Sequence, residues 1–459
     1  MPEGCLLSVV ACRMGPEDGR STGRPRTDPR SSSTGPDLEG VGLVAPVTEE
    51  CTAVLDLDTA VTHVAGAALH PGRVGAVGLE LEAHLVDLAA PASRVPWSRV
   101  SGLVDALPAM PGGSRVTLEP GGQVELSGPP YPDAAAAVAA LRADRDALAA
   151  ALAGERLALA PVGADPLRLP ARVCPAARYA AMEQHFAAVG CARAGTAMMA
   201  GTAALQVNLD AGPRAGWSER VSLAHQLGPT LVAVAACSPL AAGRPTGWVS
   251  QRQRVWSDLD QARCGPLLGG ADPAGEWAEY ALTAPVMLVR DGGGALPVRE
   301  RVRFADWVTG AVPLGGRRPT TADLDYHLTT LFPPVRPRGY LEIRYLDAAP
   351  EPWWPALAAV TAVLLDDPVA AGHAAAATVP VAGAWDRAAR YGLADPALHA
   401  AARACLAAAV PAVPAALRPE VEALADLVDR GRCPGDALLE AARAGGPTAA
   451  LLSATGAPQ

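Results

Sequence analysis

Two glutamates, Glu80 and Glu82, lie two positions apart in the apolar run 77–86. The run has the pattern of a β-strand, and residues two apart in a strand project from the same face. Two carboxylates held side by side in an apolar setting repel each other, and a divalent cation would compensate them. The pair therefore indicates a cation site on one face of a strand.

Other predicted strands carry polar side chains at the same spacing. They are Glu119 and Glu125, which flank a Pro-Gly-Gly turn, Gln206 with Asn208 in the run 203–209, and Glu342 with Arg344 in the run 340–346. If these strands share a sheet, their carboxylates converge on one surface. Hard oxygen ligands of this kind select Mg²⁺ or Mn²⁺ over zinc, and Mg²⁺ bound in this way usually bridges nucleotide phosphates.

A plainer interpretation is that these glutamates cover the wet face of an ordinary antiparallel sheet. For Glu80 and Glu82 alone, the two interpretations are equally compatible with the sequence, because a Glu-X-Glu pair is short and common. The sharply turning Pro-Gly-Gly-Gln segment between Glu119 and Glu125 favours a built site, since a solvated face rarely needs such a turn.

Strands and helices must position these side chains, and the patterns predict both. Strands are expected at 77–86, at 116–126 with a turn inside, and at 157–162, 203–209 and 340–346. Helices are expected at 48–65, 131–157, 176–189, 218–238 and 272–283, and over most of the chain from Trp353 onward. Because the two types neither alternate strictly nor segregate, we predict an α+β fold built on an antiparallel sheet.

Composition limits the classes of partner. The formal net charge is −9, and the charges are scattered without a basic stripe, so a nucleic-acid partner is not expected. Nine cysteines lie at irregular distances without CxxC pairs, which argues against structural zinc and fits a reducing cytosol. Among them, Cys237 and Cys264 are better interpreted as small buried thiols than as nucleophiles.

The N-terminal segment is not expected to fold. Residues 15–40 combine Pro, Gly, Ser and charge with few large apolar side chains, so we predict a disordered tail over residues 1–45 and a single domain over residues 46–459. The sequence shows neither a secretory signal nor a run of about 20 apolar residues that could span a membrane. A soluble cytoplasmic protein without a membrane partner is the expectation, as a monomer or a small homo-oligomer.

Several segments closely resemble the glutamate–cysteine ligases of the plant and bacterial type. The most specific is LEPGGQVELSG at residues 118–128, and it follows GLELE at 78–82. Further matching segments occur in order: ARYAAM at 177–182, AMM at 197–199, LQVNLD at 205–210, RVWSDLDQAR at 254–263 and the run 330–350. The resemblance covers residues 48–370, and the Lys-free, Ala-rich chain is most similar to the actinobacterial members that supply ergothioneine synthesis.

This resemblance implies a fold, a reaction and a set of roles. The implied fold is a cup-shaped antiparallel sheet related to that of glutamine synthetase, forming one catalytic domain. On its concave face ATP would phosphorylate the γ-carboxylate of L-glutamate, and the amine of L-cysteine would attack the acyl phosphate. The implied metal ligands are Glu80, Glu82, Glu119, Glu125, Gln206 and Glu342. Arg252 and Arg344 would hold a substrate carboxylate or the transferred phosphoryl group, and the implied amino-acid-binding residues are Gln123, Arg178, Tyr179, Met198, Met199 and Trp353.

Some features leave alternatives open. Ala200 and Gly201 follow the Met pair where the resemblance suggests a polar residue, so one substrate contact could be missing. His84 shares the strand face of Glu82, and a structural role is favoured over a ligand role. One alternative function is a related carboxylate–amine ligase that uses another amine, and a second is a catalytically inactive binding protein that keeps the fold.

Overall fold

The computed structural model describes residues 54–266, 270–291 and 294–456. Within these ranges the strands are β1 (Val77–Asp87), β2 (Arg115–Leu118), β3 (Val124–Ser127), β4 (Leu157–Ala160), β5 (Ala204–Asp210), β6 (Leu240–Ala241), β7 (Arg244–Pro245), β8 (Leu288–Asp291), β9 (Gly294–Pro297), β10 (Val335–Pro337) and β11 (Tyr340–Asp347). The predicted tail, residues 1–45, lies outside the described residues.

Helices occupy much of the same ranges. They are α1 (Leu57–Ala68), α2 (Trp97–Asp105), α3 (Ala134–Ala153), α4 (Ala177–Ala188), α5 (Ala192–Gly201), α6 (Trp217–Gln226), α7 (Gly228–Ala235), α8 (Gln251–Ser257), α9 (Gln261–Cys264), α10 (Pro273–Thr283), α11 (Phe304–Thr309), α12 (Thr321–Leu328), α13 (Trp353–Asp366), α14 (Pro368–Thr378), α15 (Trp385–Tyr391), α16 (Pro396–Ala409), α17 (Arg418–Asp429) and α18 (Gly435–Ser453).

The central element is an antiparallel sheet of seven strands among the described residues. Its order is β10-β11-β5-β1-β3-β2, and β4 pairs with the C-terminal half of β1. Two separate hairpins, β6–β7 and β8–β9, lie outside it. The predicted α+β fold with an antiparallel sheet is confirmed. The ends of the predicted strands lie within two residues of the ends observed in the structure.

The main hydrophobic core lies on one side of this sheet. Every second residue of the central strands points to this side and is apolar. Examples are Leu79, Leu205 and Ile343, which are at most 1% exposed. They pack against α3, α7 and the almost wholly buried helix α13. Because successive side chains of a strand alternate between faces, burying these residues turns the intervening polar ones to the opposite face.

Two predicted helices were wrong in detail. The first helix was predicted from residue 48; within the described residues it begins at Leu57, where Asp56 caps it by accepting from Thr59 N at 2.8 Å. Residues 48–53 lie outside the described ranges. The single helix predicted at 218–238 is two helices, α6 and α7, because Pro229 has no N–H for a continuous ladder and instead starts α7.

The described helices do not individually meet the requirements of a membrane span. None is by itself long and apolar enough to cross a bilayer. One consecutive pair of helical segments, Trp353–Asp366 and Pro368–Val381, meets the length and composition limits together, with the two bent by 96°.

Candidate active site

The strand register places the acidic side chains on one face of the sheet. Glu82 is paired with Glu125 across β1 and β3, and Glu80 is paired with Gln206 across β1 and β5. One strand further, Asn208 of β5 is paired with Glu342 of β11. Side chains of paired residues share a face, so the structure brings together polar residues from separate segments, as predicted.

Amide and hydroxyl donors hold three of these carboxylates. Asn208 Nδ2 donates to Glu80 Oε1 at 3.0 Å, and Gln206 Nε2 donates to Glu82 Oε1 at 3.2 Å. Thr117 Oγ1 donates to Glu125 Oε2 at 2.6 Å. These contacts fix the carboxylates in place but contribute no positive charge.

The charged forms of these buried carboxylates are therefore poorly compensated. Burial, followed by the charges of Glu125 and Glu342, raises the pKa of Glu80 to about 8. Burial and the neighbouring carboxylate Glu82 raise the pKa of Glu119 to about 8, and burial with Glu119 raises the pKa of Glu125 to about 7. Groups that resist ionisation in this way are those that a bound cation would stabilise in the charged form.

Glu342 differs from Glu80, Glu119 and Glu125, because three arginines donate directly to it. Arg336 donates through Nε and Nη2 at 2.5 and 3.0 Å, Arg338 through Nη1 at 3.2 Å, and Arg344 through Nη1 at 3.0 Å. Burial opposes ionisation, yet the arginine charges hold the pKa of Glu342 well below its usual range. The sequence interpretation missed Arg336 and Arg338, although their alternation in the run 335–338 could have indicated them.

Not every predicted metal ligand is equally available in this arrangement. Both oxygens of Glu342 accept from arginines, and Gln206 Oε1 accepts from Arg344 Nη1 at 2.8 Å. In the part of the chain that the structure describes, no group of three or more His, Cys, Asp or Glu side chains is arranged to hold a metal ion. The oxygen-only donor set and the excess charge of Glu80, Glu82, Glu119 and Glu125 nevertheless fit a hard divalent cation.

Arg252 lies beside this face and is 3% exposed. Its Nη2 donates to the carbonyl oxygen of Arg344 at 2.7 Å. Its Nε and Nη1 are buried and have no hydrogen-bond partner among the described residues. Burial lowers the pKa of Arg252, and the negative charges of Asp347 and Glu82 oppose that effect. Two unused donors beside an acidic face can bind an anionic group.

The Pro-Gly-Gly turn fastens Glu119 to the end of α5. A Cβ on Gly121 would lie 2.4 Å from the carbonyl oxygen of Ala200, and Gly122 has a φ of +82°. Gln123, which was predicted to bind substrate, is 2% exposed and donates from Nε2 to the carbonyl oxygen of Thr202 at 2.8 Å. In this structure Gln123 therefore holds the turn, and the missing side chain of Gly121 permits the close approach to the backbone of Ala200.

Three of the predicted amino-acid-binding residues share a second apolar cluster. It contains Met199, with Tyr179 and Met198 packed against it, and also Trp256 and Phe332. The charge of Glu119 contributes, after burial, to raising the pKa of Tyr179, which places this cluster beside the acidic face. These side chains can form an apolar wall next to the carboxylates.

The other two predicted residues have different surroundings. Arg178 Nη2 donates to Thr329 Oγ1 at 2.8 Å, and its guanidinium lies 4.7 Å from the ring centroid of Tyr326. Trp353, the first residue of α13, packs against the main core instead of the second cluster. The structure thus does not join Trp353 to the wall formed by Tyr179 and the methionines.

The histidine and the thiols considered from the sequence are buried. His84 is 1% exposed, and burial lowers its pKa to about 4, so it is neutral at pH 7. Burial raises the pKa of Cys237 and Cys264, which keeps both as thiols. These environments are those of structural groups.

Comparison with known proteins identifies the family. A profile of glutamate–cysteine ligase family 2 matches residues 76–453. The chain belongs to this family. It is 57% identical over 396 residues to a protein named glutamate–cysteine ligase EgtA from Mycolicibacterium smegmatis, and the match covers 86% of this chain and 93% of that protein. EgtA of Mycobacterium tuberculosis strain H37Rv is 54% identical over 87% of this chain and 93% of its own length.

More distant members of the glutamate–cysteine ligases share part of the chain or only the fold. The chloroplastic enzyme of Nicotiana tabacum is 31% identical over 59% of this chain and 52% of its own length. A crystal structure of glutamate–cysteine ligase from Francisella tularensis, in complex with AMP, has a TM-score of 0.50 and 13% identity, and it covers 84% of this chain and 88% of that chain. At that identity the likeness concerns the fold alone.

Proposed function

We propose that this chain joins the γ-carboxylate of L-glutamate to the amine of L-cysteine and consumes ATP. The γ-carboxylate would attack the terminal phosphorus of ATP, releasing ADP and leaving γ-glutamyl phosphate. The cysteine nitrogen would then attack the acyl carbon, expel phosphate and lose a proton, giving γ-glutamylcysteine. Family membership and the EgtA relatives support this reaction, and ergothioneine synthesis is the pathway proposed to use the product.

The observation that carries the proposal is the meeting of buried carboxylates and arginines on one sheet face. Phosphoryl transfer to a carboxylate brings two anions together, so positioning and charge neutralisation provide most of the catalysis. Arg252 would bind the phosphoryl group or the substrate carboxylate, and its two buried donors without a partner in the described part of the chain support this role. Arg344 is held against Gln206 and Glu342 and would act on the same anions.

Mg²⁺ is the proposed metal, with Mn²⁺ as a substitute. Glu80, Glu82, Glu119 and Glu125 would hold it, and it would supply charge neutralisation at the ATP phosphates. Glu342 and Gln206, which were expected as further ligands, are proposed instead to orient Arg344, since their oxygens already accept from it.

The protein is proposed to act in the cytoplasm on these small molecules. The cysteines at the six described positions are free thiols, which fits a reducing compartment.

An assay of ADP release against a panel of amines tests the proposal. Purified protein with glutamate, ATP and Mg²⁺ should release ADP rapidly when cysteine is added. If alanine, ethanolamine or another amine supports much faster release, the alternative of a different carboxylate–amine ligase replaces the cysteine assignment. Absence of turnover with every amine would favour a catalytically inactive binding protein.

A further inference from the structure

Asp347, the last residue of β11, is a buried carboxylate at the junction of several segments. It is 2% exposed and accepts hydrogen bonds from Ser238 Oγ at 2.6 Å, Ser250 Oγ at 2.9 Å and Cys237 N at 3.0 Å. The packing is close on the remaining side, since a Cβ on Gly163 would lie 2.4 Å from Asp347 Cγ. A carboxylate with this many donors fixes the groups around it.

Two of these donors lead directly to the start of α8. Ser250 caps the helix, because its hydroxyl accepts from Gln253 N at 3.2 Å. Ser238 Oγ accepts from the backbone N of Arg252 at 3.1 Å. The first turn of α8 is thus attached to Asp347 through two hydroxyl groups, and each hydroxyl donates to the carboxylate while it accepts from the helix.

The side chains of this turn are attached to β11. Arg252 Nη2 donates to the carbonyl oxygen of Arg344 at 2.7 Å, and Gln253 Nε2 donates to the carbonyl oxygen of Tyr345 at 2.6 Å. The register of β11 against β5 shifts between Ile343 and Leu346, in the segment that offers these carbonyls. The α8 turn is therefore fixed to the second half of β11 at several points, which leaves Arg252 little freedom to move.

We propose that Asp347 is a positioning residue, which acts through Ser238 and Ser250 to hold Arg252, with its unused Nε and Nη1 groups, beside the acidic sheet face. This proposal rests on the proposed function only in one respect, the identity of the anion that Arg252 binds. The position of Arg252 itself follows from the hydrogen bonds named above.

The experiment compares Asp347→Asn, Ser238→Ala, Arg252→Lys and the double variant Asp347→Asn/Arg252→Lys. Asparagine keeps the shape of Asp347 but presents an amide to one of its donors. We expect Asp347→Asn and Ser238→Ala each to lower kcat about tenfold, with KM for cysteine within about twofold of wild type, because a misplaced charge-stabilising group affects the transition state most.

The double variant decides whether the effect passes through Arg252. If it does, adding Asp347→Asn to Arg252→Lys lowers kcat no further. Asp144→Asn is the matched control, since Asp144 is also buried and accepts from the backbone N of Gly112 and Ser114. The control should lower the urea midpoint while kcat stays unchanged. Multiplying effects in the double variant, or an unchanged kcat in Asp347→Asn, would overturn the proposal.

A measurement without catalysis separates this proposal from the proposed function. If wild-type protein turns over no amine, the same four variants are compared by urea unfolding. Non-additive shifts of the midpoint for Asp347→Asn and Arg252→Lys would support the connection between the two residues, because coupled neighbours deviate from additivity. Additive shifts would overturn it, whatever the substrate.

Discussion

Glu82 lies directly opposite Glu125 in the ladder between β1 and β3, and its carboxylate accepts from Gln206 Nε2 on the other neighbouring strand. Two acidic residues at a paired position destabilise a sheet unless something compensates them. The electrostatic compensation lies partly in Arg252 and Arg344, whose charges favour ionised Glu82, although burial raises its pKa overall. Single substitutions on this face can therefore show how its negative charge is compensated.

Replacing Glu80 by Gln should stabilise the metal-free protein and abolish turnover. Glutamine keeps an oxygen for the contact with Asn208 Nδ2 and can donate to Glu125, and it needs no proton on folding, whereas the raised pKa of Glu80 makes the folded wild type take one up at pH 7. We expect the free energy of unfolding in EDTA at pH 7 to rise by about 2 kcal/mol. Urea unfolding measures this, and a destabilised variant would contradict an unfavourable environment for ionised Glu80.

Replacing Glu342 by Gln should lower activity without weakening the metal site. The substitution removes the charge that holds Arg336, Arg338 and Arg344. Breaking a buried ion pair from one side costs about 3–5 kcal/mol, so a lower urea midpoint is also expected. When activity is titrated with Mg²⁺, the maximal activity of the variant should be lower than that of wild type. The Mg²⁺ concentration that gives half of the maximal activity should be the same in both proteins. A large increase in that concentration would instead make Glu342 a metal ligand.

Replacing Gly121 by Ala should displace the turn that carries Glu119. The added methyl group would meet the backbone of Ala200, which cannot move aside as a side-chain tip could. We expect kcat to fall by at least about tenfold, because small misplacements of charge-stabilising groups have large effects. Gly102→Ala in α2 is the control, since a Cβ added at Gly102 would have no neighbouring atom within 4 Å. It should keep full activity and unfold at a slightly higher urea concentration.

Acid should destabilise the fold through its buried neutral histidines. His327 is 1% exposed, and burial together with the charge of Arg263 lowers its pKa to about 3. Below pH 6.5 the unfolded chain binds a proton at His327 that the folded chain does not bind. The contribution of neutral His327 to stability is therefore complete above pH 6.5 and is lost as the pH falls toward 3.

A variant isolates the contribution of that histidine. His327 Nε2 contacts the carbonyl oxygen of Ala281 at 2.9 Å, and the amide of His327→Gln can donate there instead. As the pH falls from about 6.5 to about 5, the unfolding free energy of wild type should drop by about 2 kcal/mol relative to that of His327→Gln, at about 1.4 kcal/mol per pH unit. A difference that is constant with pH would show that His327 is not the titrating group.

The sequence predicted the acidic face well because strand parity is local. Glu80 with Glu82, and Gln206 with Asn208, share faces whatever the neighbouring strands are, and the Pro-Gly-Gly turn fixes Glu119 near Glu125. The partner of each residue could not be predicted, since register depends on contacts between distant segments. Pro229 by itself predicts the break between α6 and α7, but the sequence interpretation did not take it into account.

The connections that orient the arginines were beyond the sequence interpretation. Arg336 reaches Glu342 across the hairpin of β10 and β11, and Asp347 reaches Ser238 and Ser250 across about 100 residues of chain. The contacts of Asp347 carry no local signal, whereas the alternation of Arg336 and Arg338 in a hairpin could have indicated the first connection. Trp353, a residue implied by resemblance, packs against the main core, and its binding role stays a prediction.

Binding of Mn²⁺ as a probe for Mg²⁺, followed by electron paramagnetic resonance, shows whether the carboxylates of the sheet face hold a divalent cation. Wild type, Glu80→Gln, Glu125→Gln and the surface control Glu279→Gln in α10 are compared. We expect both site variants to weaken Mn²⁺ binding by at least the roughly 10–100-fold that loss of an outer-shell partner causes, while the control binds as wild type does. Equal affinity in all four proteins would contradict a metal site on this sheet face.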